Sequence, residues 1–107
     1  MTDRELLKLA AKAAGELTLS WYGNDAYFDG VLERWNPLKD DGDALRLAHM
    51  LRILISYSFA AFGLPVQVSV KHINQVEAEC FDAHSVSMEQ LRRLIVCAAA
   101  EIGRNMP

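Results

Sequence analysis

The sequence contains little cysteine and proline and no long apolar run free of polar residues. Its two cysteines, Cys80 and Cys97, are too few for a disulfide scaffold. The longest uncharged stretch lies between Arg52 and Lys71 and is interrupted by serine, glycine, proline and glutamine, so a membrane span is not expected. No basic segment followed by an apolar one opens the sequence. These absences predict a protein of the reducing cytosol (cytoplasmic) that has no contact with a membrane.

An excess of positive charge is also missing. The 11 basic and 14 acidic residues give a formal net charge of -3, which provides no general attraction to nucleic acid or to an anionic membrane. What the sequence does have is a hydrophobic content of 51% over 107 residues, enough for one buried core without disulfides or metal. A single domain covering residues 1–107 is predicted.

Two stretches carry the capping-box pattern that begins helices. In residues 2–5 and in residues 87–90, a Thr or Ser is followed three residues later by Glu or Gln. Apolar residues at helical spacing follow both stretches. They predict a first helix over residues 3–14 and a last helix that stops at Gly103.

A third helix signal lies in residues 35–45, where a proline turn leads into an apolar periodic segment. Pro37 fixes its own φ and moves Asn36 out of the helical region. Asp40 or Asp41 can then accept hydrogen bonds from the first amides of a helix. This stretch predicts a turn followed by the second of three helices.

Five stretches alternate between apolar and polar residues in the manner of β-strands. Residues 17–22 and 26–32 predict a hairpin, and residues 66–70 and 76–80 predict two further strands. Residues 53–61 alternate as a strand but also continue a helical stripe. A strand is preferred there, because a helix that is apolar nearly all round is rarely buried in a small domain.

These elements together predict an α+β fold in which hairpins join consecutive strands. The predicted architecture is an antiparallel sheet of about four to five strands sandwiched by three helices, in the order α-β-β-α-β-β-β-α. Several apolar residues of the strand region, including Phe62, then have no helix left to cover them. Since an uncovered patch is usually closed by a partner and a two-fold dimer is the commonest solution, a homodimer is predicted.

Three segments of the chain resemble a known group of proteins. They are residues 35–38 (WNPL), the acidic helix start at residues 40–48 and the closing helix at residues 91–104. Together they are similar to small phage and prophage proteins of unknown function, in the family called the phage ABA sandwich domain. The resemblance implies an antiparallel sheet between helical layers. It supplies no catalytic motif that could be transferred to this chain.

An acidic cluster follows the proline turn and has the ligand type that calcium or magnesium prefers. Its carboxylates are Asp40, Asp41 and Asp43, but an EF-hand loop would need a glutamate where Leu47 stands. Helix capping explains the cluster better than ion binding does. The imidazole and thiol donors lack the paired spacing of a zinc site; they are His72, Cys80 and His84. No metal and no cofactor is predicted.

Charged and aromatic residues around the second helix form a candidate interaction surface. Arg46, His49 and Arg52 recur at intervals of three, which places them on one helix face. Trp35 lies beside the turn and is expected to stay partly exposed, and Phe62 belongs to the uncovered strand region. A solvated face explains the arginines more simply than a phosphate-binding one, because no stacking aromatic residues are interleaved with them.

No pattern in the sequence specifies a reaction. The leading hypothesis is a non-enzymatic phage or prophage accessory protein that binds another macromolecule, a host or phage protein, and self-associates as a homodimer. Two alternatives stay open. One is a nucleic-acid-associated protein that uses the arginine-bearing helix faces, and the other is a small enzyme with a His, Cys and carboxylate site that the sequence alone does not reveal.

Overall fold

The structure, a computed structural model, describes residues 2–15, 19–22, 25–28, 34–58, 67–72, 79–82 and 86–106. Its helices and strands follow in the order α1 (Asp3–Ala13), β1 (Leu19–Tyr22), β2 (Asp25–Phe28), α2 (Asp41–Leu51), β3 (Ile53–Ser58), β4 (Gln67–His72), β5 (Glu79–Asp82) and α3 (Met88–Arg104). The fold class is α+β. None of the described helices is long and apolar enough to cross a membrane.

The described strands form two antiparallel sheets instead of one. β1 and β2 pair as a hairpin, with Leu19 opposite Phe28, while β3, β4 and β5 form a separate three-stranded sheet in that order. The predicted single sheet of about four to five strands sandwiched by three helices is therefore wrong. Alternation predicts that a stretch is a strand, but it carries no information on which strand edges meet, and α2 separates the two sheets along the chain.

Helix α1 begins and ends with the predicted signals. The Thr2 hydroxyl accepts a hydrogen bond from the Glu5 main-chain N–H at 3.2 Å, and the Thr2 N–H donates to Glu5 Oε2 at 3.3 Å. The reciprocal pair is a capping box, so that prediction is confirmed. After Ala13 the chain leaves the helix at Gly15, whose φ of +88° is a left-handed conformation that glycine adopts without strain.

Helix α3 begins as predicted but does not stop at Gly103. Ser87 and Gln90 form its capping box, with distances of 3.2 and 2.8 Å. The helix continues through Gly103 to Arg104, so the predicted stop is wrong. A Cβ at Gly103 would collide with the main-chain carbonyl of Leu9 in α1, which means that this glycine permits close helix contact.

The contact between α1 and α3, which we call the seam, forms much of the core. Most of its side chains are small, and Ala10 and Ala99 are fully buried. Small side chains bring two helix axes close together, as the position of Gly103 also requires. The buried residues of the seam are Leu6, Leu7, Ala10 and Ala11 of α1 and Ile95, Val96, Ala99, Ala100 and Gly103 of α3.

The three-stranded sheet turns one face of β3 and β4 toward the helices. Ile53, Val68 and Val70 on that face are buried, whereas Leu54 on the opposite face is 47% exposed. On the opposite face the hydroxyls of Ser56 and Ser69, which are register partners, are hydrogen-bonded to each other. Tyr57, the register partner of Val68 on the first face, is 56% exposed, so the helices cover that face only in part.

The preference for a strand after α2 is confirmed over Ile53–Ser58, and the continued helix is wrong. Arg52 ends α2 in a left-handed conformation with a φ of 57°, which reverses the chain before β3. Three strand boundaries differ from prediction, since β2 begins at Asp25, β4 extends to His72 and the last described strand is Glu79–Asp82. Residues 59–66 and 73–78 lie outside the described part of the chain.

Candidate functional site

The turn before α2 is held by hydrogen bonds that start from Asn36. Its main-chain N–H donates to Asp43 Oδ2 at 2.9 Å, and its own Oδ1 accepts from the Leu38 N–H at 3.1 Å. Asp40 caps the helix by accepting from the Asp43 N–H at 2.8 Å, which confirms the capping interpretation of that residue. Pro37 is fully buried. We call residues 35–43 the corner.

The corner is also attached to α3. Arg92 Nε donates to the Leu38 carbonyl at 3.0 Å, and Arg92 NH1 forms a 2.6 Å ion pair with Asp41 Oδ1. The Arg92 side chain is only 16% exposed, so these bonds are partly shielded from water. Of the predicted acidic cluster, Asp41 thus pairs with Arg92, whereas Asp40 and Asp43 both contact Arg46. Within the described residues, no group of three or more His, Cys, Asp or Glu side chains could hold a metal ion.

A groove lies between the end of α1, the corner and α2. Its volume is about 950 Å³, within the range of pockets that hold small molecules or peptide side chains. Trp35 and Leu47 provide a buried apolar floor, and Lys39 and Arg46 are exposed on its rim. The described residues that line the groove are Ala14, Arg34, Trp35, Asn36, Lys39, Asp40, Asp43, Arg46, Leu47 and Met50.

The predicted interaction surface is only partly assembled at this groove. Trp35 and Arg46 both line it, but Trp35 is 7% exposed, contrary to the expectation that it stays partly exposed. His49 and Arg52 are exposed at the end of α2 and do not line the groove. Phe62 lies outside the described residues. The structure therefore brings Trp35 and Arg46 together at the groove and leaves His49 and Arg52 outside it.

The arginines of α2 and α3 have acidic or carbonyl partners inside the protein. Arg46 NH2 lies 2.7 Å from Asp43 Oδ1 and 3.8 Å from Asp40 Oδ2. These contacts reduce the positive potential that phosphate binding requires, so the nucleic-acid alternative loses support. The other pairs are Arg52 with the His49 carbonyl, Arg92 with Asp41, Arg93 with Asp3, and Arg104 with Glu101.

Strand register gives the positions of two residues that the enzyme alternative would use, a histidine and a cysteine. His72 in β4 is the partner of Ile53, and Cys80 in β5 is the partner of Ser69, so the two are not opposite each other. His84 lies outside the described residues. None of the described groove residues is a His, Cys, Ser or Thr. The described residues of the groove therefore provide no hydroxyl or thiol nucleophile and no imidazole base.

Sequence reasoning missed two features of this region. The sequence placed Asn36 in a turn before a proline and gave no indication that it is buried and lines a groove. Leu45 belongs to the apolar periodic segment that predicted α2, but it is 66% exposed, and Met50 is 56% exposed. An Asn-Pro dipeptide signals a turn, but nothing local reveals that the asparagine side chain will be buried.

The fold and the site define an α+β domain with a three-stranded sheet packed against helices and an apolar-floored groove beside α2. No family model, no curated protein and no solved structure matches this chain. The resemblance of residues 35–38, 40–48 and 91–104 to the phage ABA sandwich domain accordingly stays a prediction.

Proposed function

We propose that this chain is a non-enzymatic accessory protein of a phage or prophage, located in the host cytosol, that acts by binding another macromolecule. One observation carries the binding role: four large apolar side chains within residues 45–57 are exposed. These side chains belong to α2 and to both faces of β3, and large exposed apolar and aromatic side chains are enriched at protein interaction sites. They are Leu45 at 66%, Met50 at 56%, Leu54 at 47% and Tyr57 at 56%.

The polar groups of the groove support binding over catalysis. Asp43 accepts from the Asn36 main-chain N–H and pairs with Arg46, and Asp40 caps α2. A general acid or base must be available to exchange a proton with a substrate, whereas these carboxylates maintain the local fold. The phage or prophage origin rests on the sequence resemblance alone, and the cytosolic location rests on the composition of the chain.

Partner capture in cells tests the binding role. The tagged chain is expressed in phage-infected or lysogenic cells, crosslinked and purified, and the captured proteins are compared with those of Leu45→Glu. The control is Met88→Glu, because Met88 on α3 is also a large exposed side chain, at 55%. We expect a partner that is retained by the wild type and by Met88→Glu and lost with Leu45→Glu. Equal capture by all three proteins, or no specific partner at all, would contradict the proposal.

A second copy of the chain is the partner that we propose for β3. This strand lies at one end of the three-stranded sheet and has no charged residue, and uncharged edge strands pair readily with other chains. A two-fold dimer should have a mass of about 24 kDa, twice the 12.0 kDa of the chain. Light scattering at micromolar concentration measures that mass. A 12.0 kDa particle for the wild type, or a dimer equally unaffected by Leu54→Lys and by Met88→Lys, would contradict pairing through β3.

A further inference from the structure

A buried hydrogen-bond donor lines the groove and has no acceptor among the described residues. Asn36 is 8% exposed, and its Oδ1 accepts the Leu38 N–H at 3.1 Å. That bond fixes the orientation of the side-chain amide, because only the oxygen can accept from an N–H. The Nδ2 group then keeps two N–H donors, and no described atom accepts from either of them. A buried amide in this state is unfavourable until an acceptor reaches it.

The rest of Asn36 is already bonded. Its main-chain N–H is 2.9 Å from Asp43 Oδ2, and its carbonyl accepts from the N–H groups of Lys39 and Asp40 at 3.1 and 2.9 Å. These bonds hold the backbone of the corner in place, and turning the side-chain amide toward water would break the bond from the Leu38 N–H to Oδ1. The unused Nδ2 donors therefore belong to a residue that is held in place at the groove.

The charges around this donor favour a singly charged anion. The Lys39 side chain is exposed on the rim, and no described carboxylate lies within ion-pair distance of it. The two acidic side chains of the lining, Asp40 and Asp43, are both in contact with Arg46. They lower the total positive charge of the groove, which disfavours a phosphate dianion more than a carboxylate.

The apolar floor of the groove indicates what the uncharged part of a ligand should be. Trp35 and Leu47 are 7% and 3% exposed, and Met50 extends the apolar lining to the surface with 56% exposure. An apolar body that lies on these side chains would remove them from water, while a carboxylate on the same molecule reaches the polar end at Asn36.

We propose that the groove binds a carboxylate attached to an apolar body, with Asn36 Nδ2 donating to one oxygen and Lys39 pairing with the charge. The chain-terminal carboxylate of a partner protein and a small organic acid share this chemistry. The inference rests on the proposed binding function and narrows it to one ligand class at one site.

Titrations followed by NMR test this inference on the full chain. The probes are N-acetyl-phenylalanine, which imitates a peptide C-terminus, and 3-phenylpropionate, which is a small acid. N-acetyl-phenylalaninamide is the neutral control, with the same ring and no carboxylate. We expect saturable shifts of the Asn36 side-chain NH₂ signals with both acids and not with the amide. Tighter binding of the peptide mimic indicates a protein terminus as the source, and equal or tighter binding of 3-phenylpropionate indicates a small acid.

Two variants examine the assigned contacts. Lys39→Gln changes only an exposed side chain and should weaken the binding of both acids about threefold, whereas Lys8→Gln on α1 should have no effect. Asn36→Asp replaces the amide donor with a carboxylate, which cannot donate a hydrogen bond, and should weaken the binding of both acids by about tenfold or more. If Asn36→Asp fails to fold, the Lys39→Gln and Lys8→Gln pair still decides the question.

Three results would overturn the inference: equal binding of the amide, no shift at Asn36 with either acid, or identical affinities for Lys39→Gln and Lys8→Gln. Each of them can be separated from failure of the proposed function. Partner capture that depends on Leu45 would persist if only the ligand class of the groove were wrong. Loss of specific capture would instead remove the binding function itself.

Discussion

The seam and the corner hold the same helix, α3, by different means. In the seam, small buried side chains of α1 and α3 meet so closely that Gly103 lies against the backbone at Leu9. In the corner, Arg92 reaches the Leu38 carbonyl and Asp41 through polar bonds that are partly accessible to water. The stability of the first contact depends on close packing, and the stability of the second depends on hydrogen bonds that must stay formed. Substitutions should therefore cost more in the seam, and volume should matter there more than charge.

The largest effect is expected for Gly103→Ala. The added Cβ would collide with the main-chain carbonyl of Leu9, and backbone atoms cannot rotate away as a side chain can. The two helices must separate, which should lower the free energy of unfolding by about 3 kcal/mol. Urea denaturation followed by circular dichroism measures this change.

Gly42→Ala is the matched control for Gly103→Ala. The nearest atoms to its Cβ would be the ends of the Arg46 and Asp40 side chains, at 3.2 Å; the exposed Arg46 can move away, and Asp40 Oδ2, which caps α2, needs to shift by only a few tenths of an ångström. Alanine is also the better helix former, so this change should raise the free energy of unfolding by about 0.5 kcal/mol. Equal destabilisation by both substitutions would mean that the seam is not the more closely packed region.

The next effect concerns the corner. Asp43→Ala removes the acceptor for the main-chain N–H of Asn36, a residue that is 8% exposed. An N–H left without a partner in such a position should lower the free energy of unfolding by about 2 kcal/mol.

Arg46→Ala removes the ion pair between Arg46 and Asp43 and leaves the hydrogen bond from the Asn36 N–H to Asp43 in place. The Arg46 side chain is 71% exposed, so its pair with Asp43 should contribute less than about 0.5 kcal/mol. A loss from Arg46→Ala as large as that from Asp43→Ala would show that charge, and not the bond to Asn36, stabilises the corner.

Local signals in the sequence predicted most helix and strand types correctly. The capping boxes at Thr2 and Ser87, the cap at Asp40 and the strand after Arg52 all depend on neighbours within a few residues, and the structure contains each of them. Such features follow from backbone chemistry that the sequence displays directly. The Gly15 conformation belongs to the same group.

Features that depend on distant parts of the chain were missed or predicted wrongly. Gly103 permits close contact between α3 and the backbone at Leu9, which is far away in the sequence. From the sequence alone, this glycine predicted the end of the helix. The division of the strands into two sheets depends on which edges meet in space. The groove likewise requires α1, the corner and α2 together, so the buried side chain of Asn36 left no local signal.

A smaller effect is expected at the start of α3. Ser87→Ala removes the hydroxyl that accepts from the Gln90 N–H at 3.2 Å and should lower the free energy of unfolding by about 1 kcal/mol. Ser87→Asp retains an acceptor and should stay close to the wild type. If Ser87→Ala unfolds at the same urea concentration as the wild type, α3 does not depend on this cap.

The smallest effect is expected at Arg52, where α2 ends, and it has the opposite sign. A φ of 57° brings Cβ close to the following carbonyl in any residue except glycine, so Arg52→Gly should relieve strain. The exposed bond from Arg52 NH1 to the His49 carbonyl, at 2.8 Å, is lost, and glycine gains freedom in the unfolded chain. The net gain in the free energy of unfolding should be about 0.5 kcal/mol. Arg52→Ala loses the same bond but keeps the strain, so the difference between the two variants in urea denaturation isolates the backbone. A glycine variant no more stable than the alanine variant would show that the left-handed turn before β3 carries no strain.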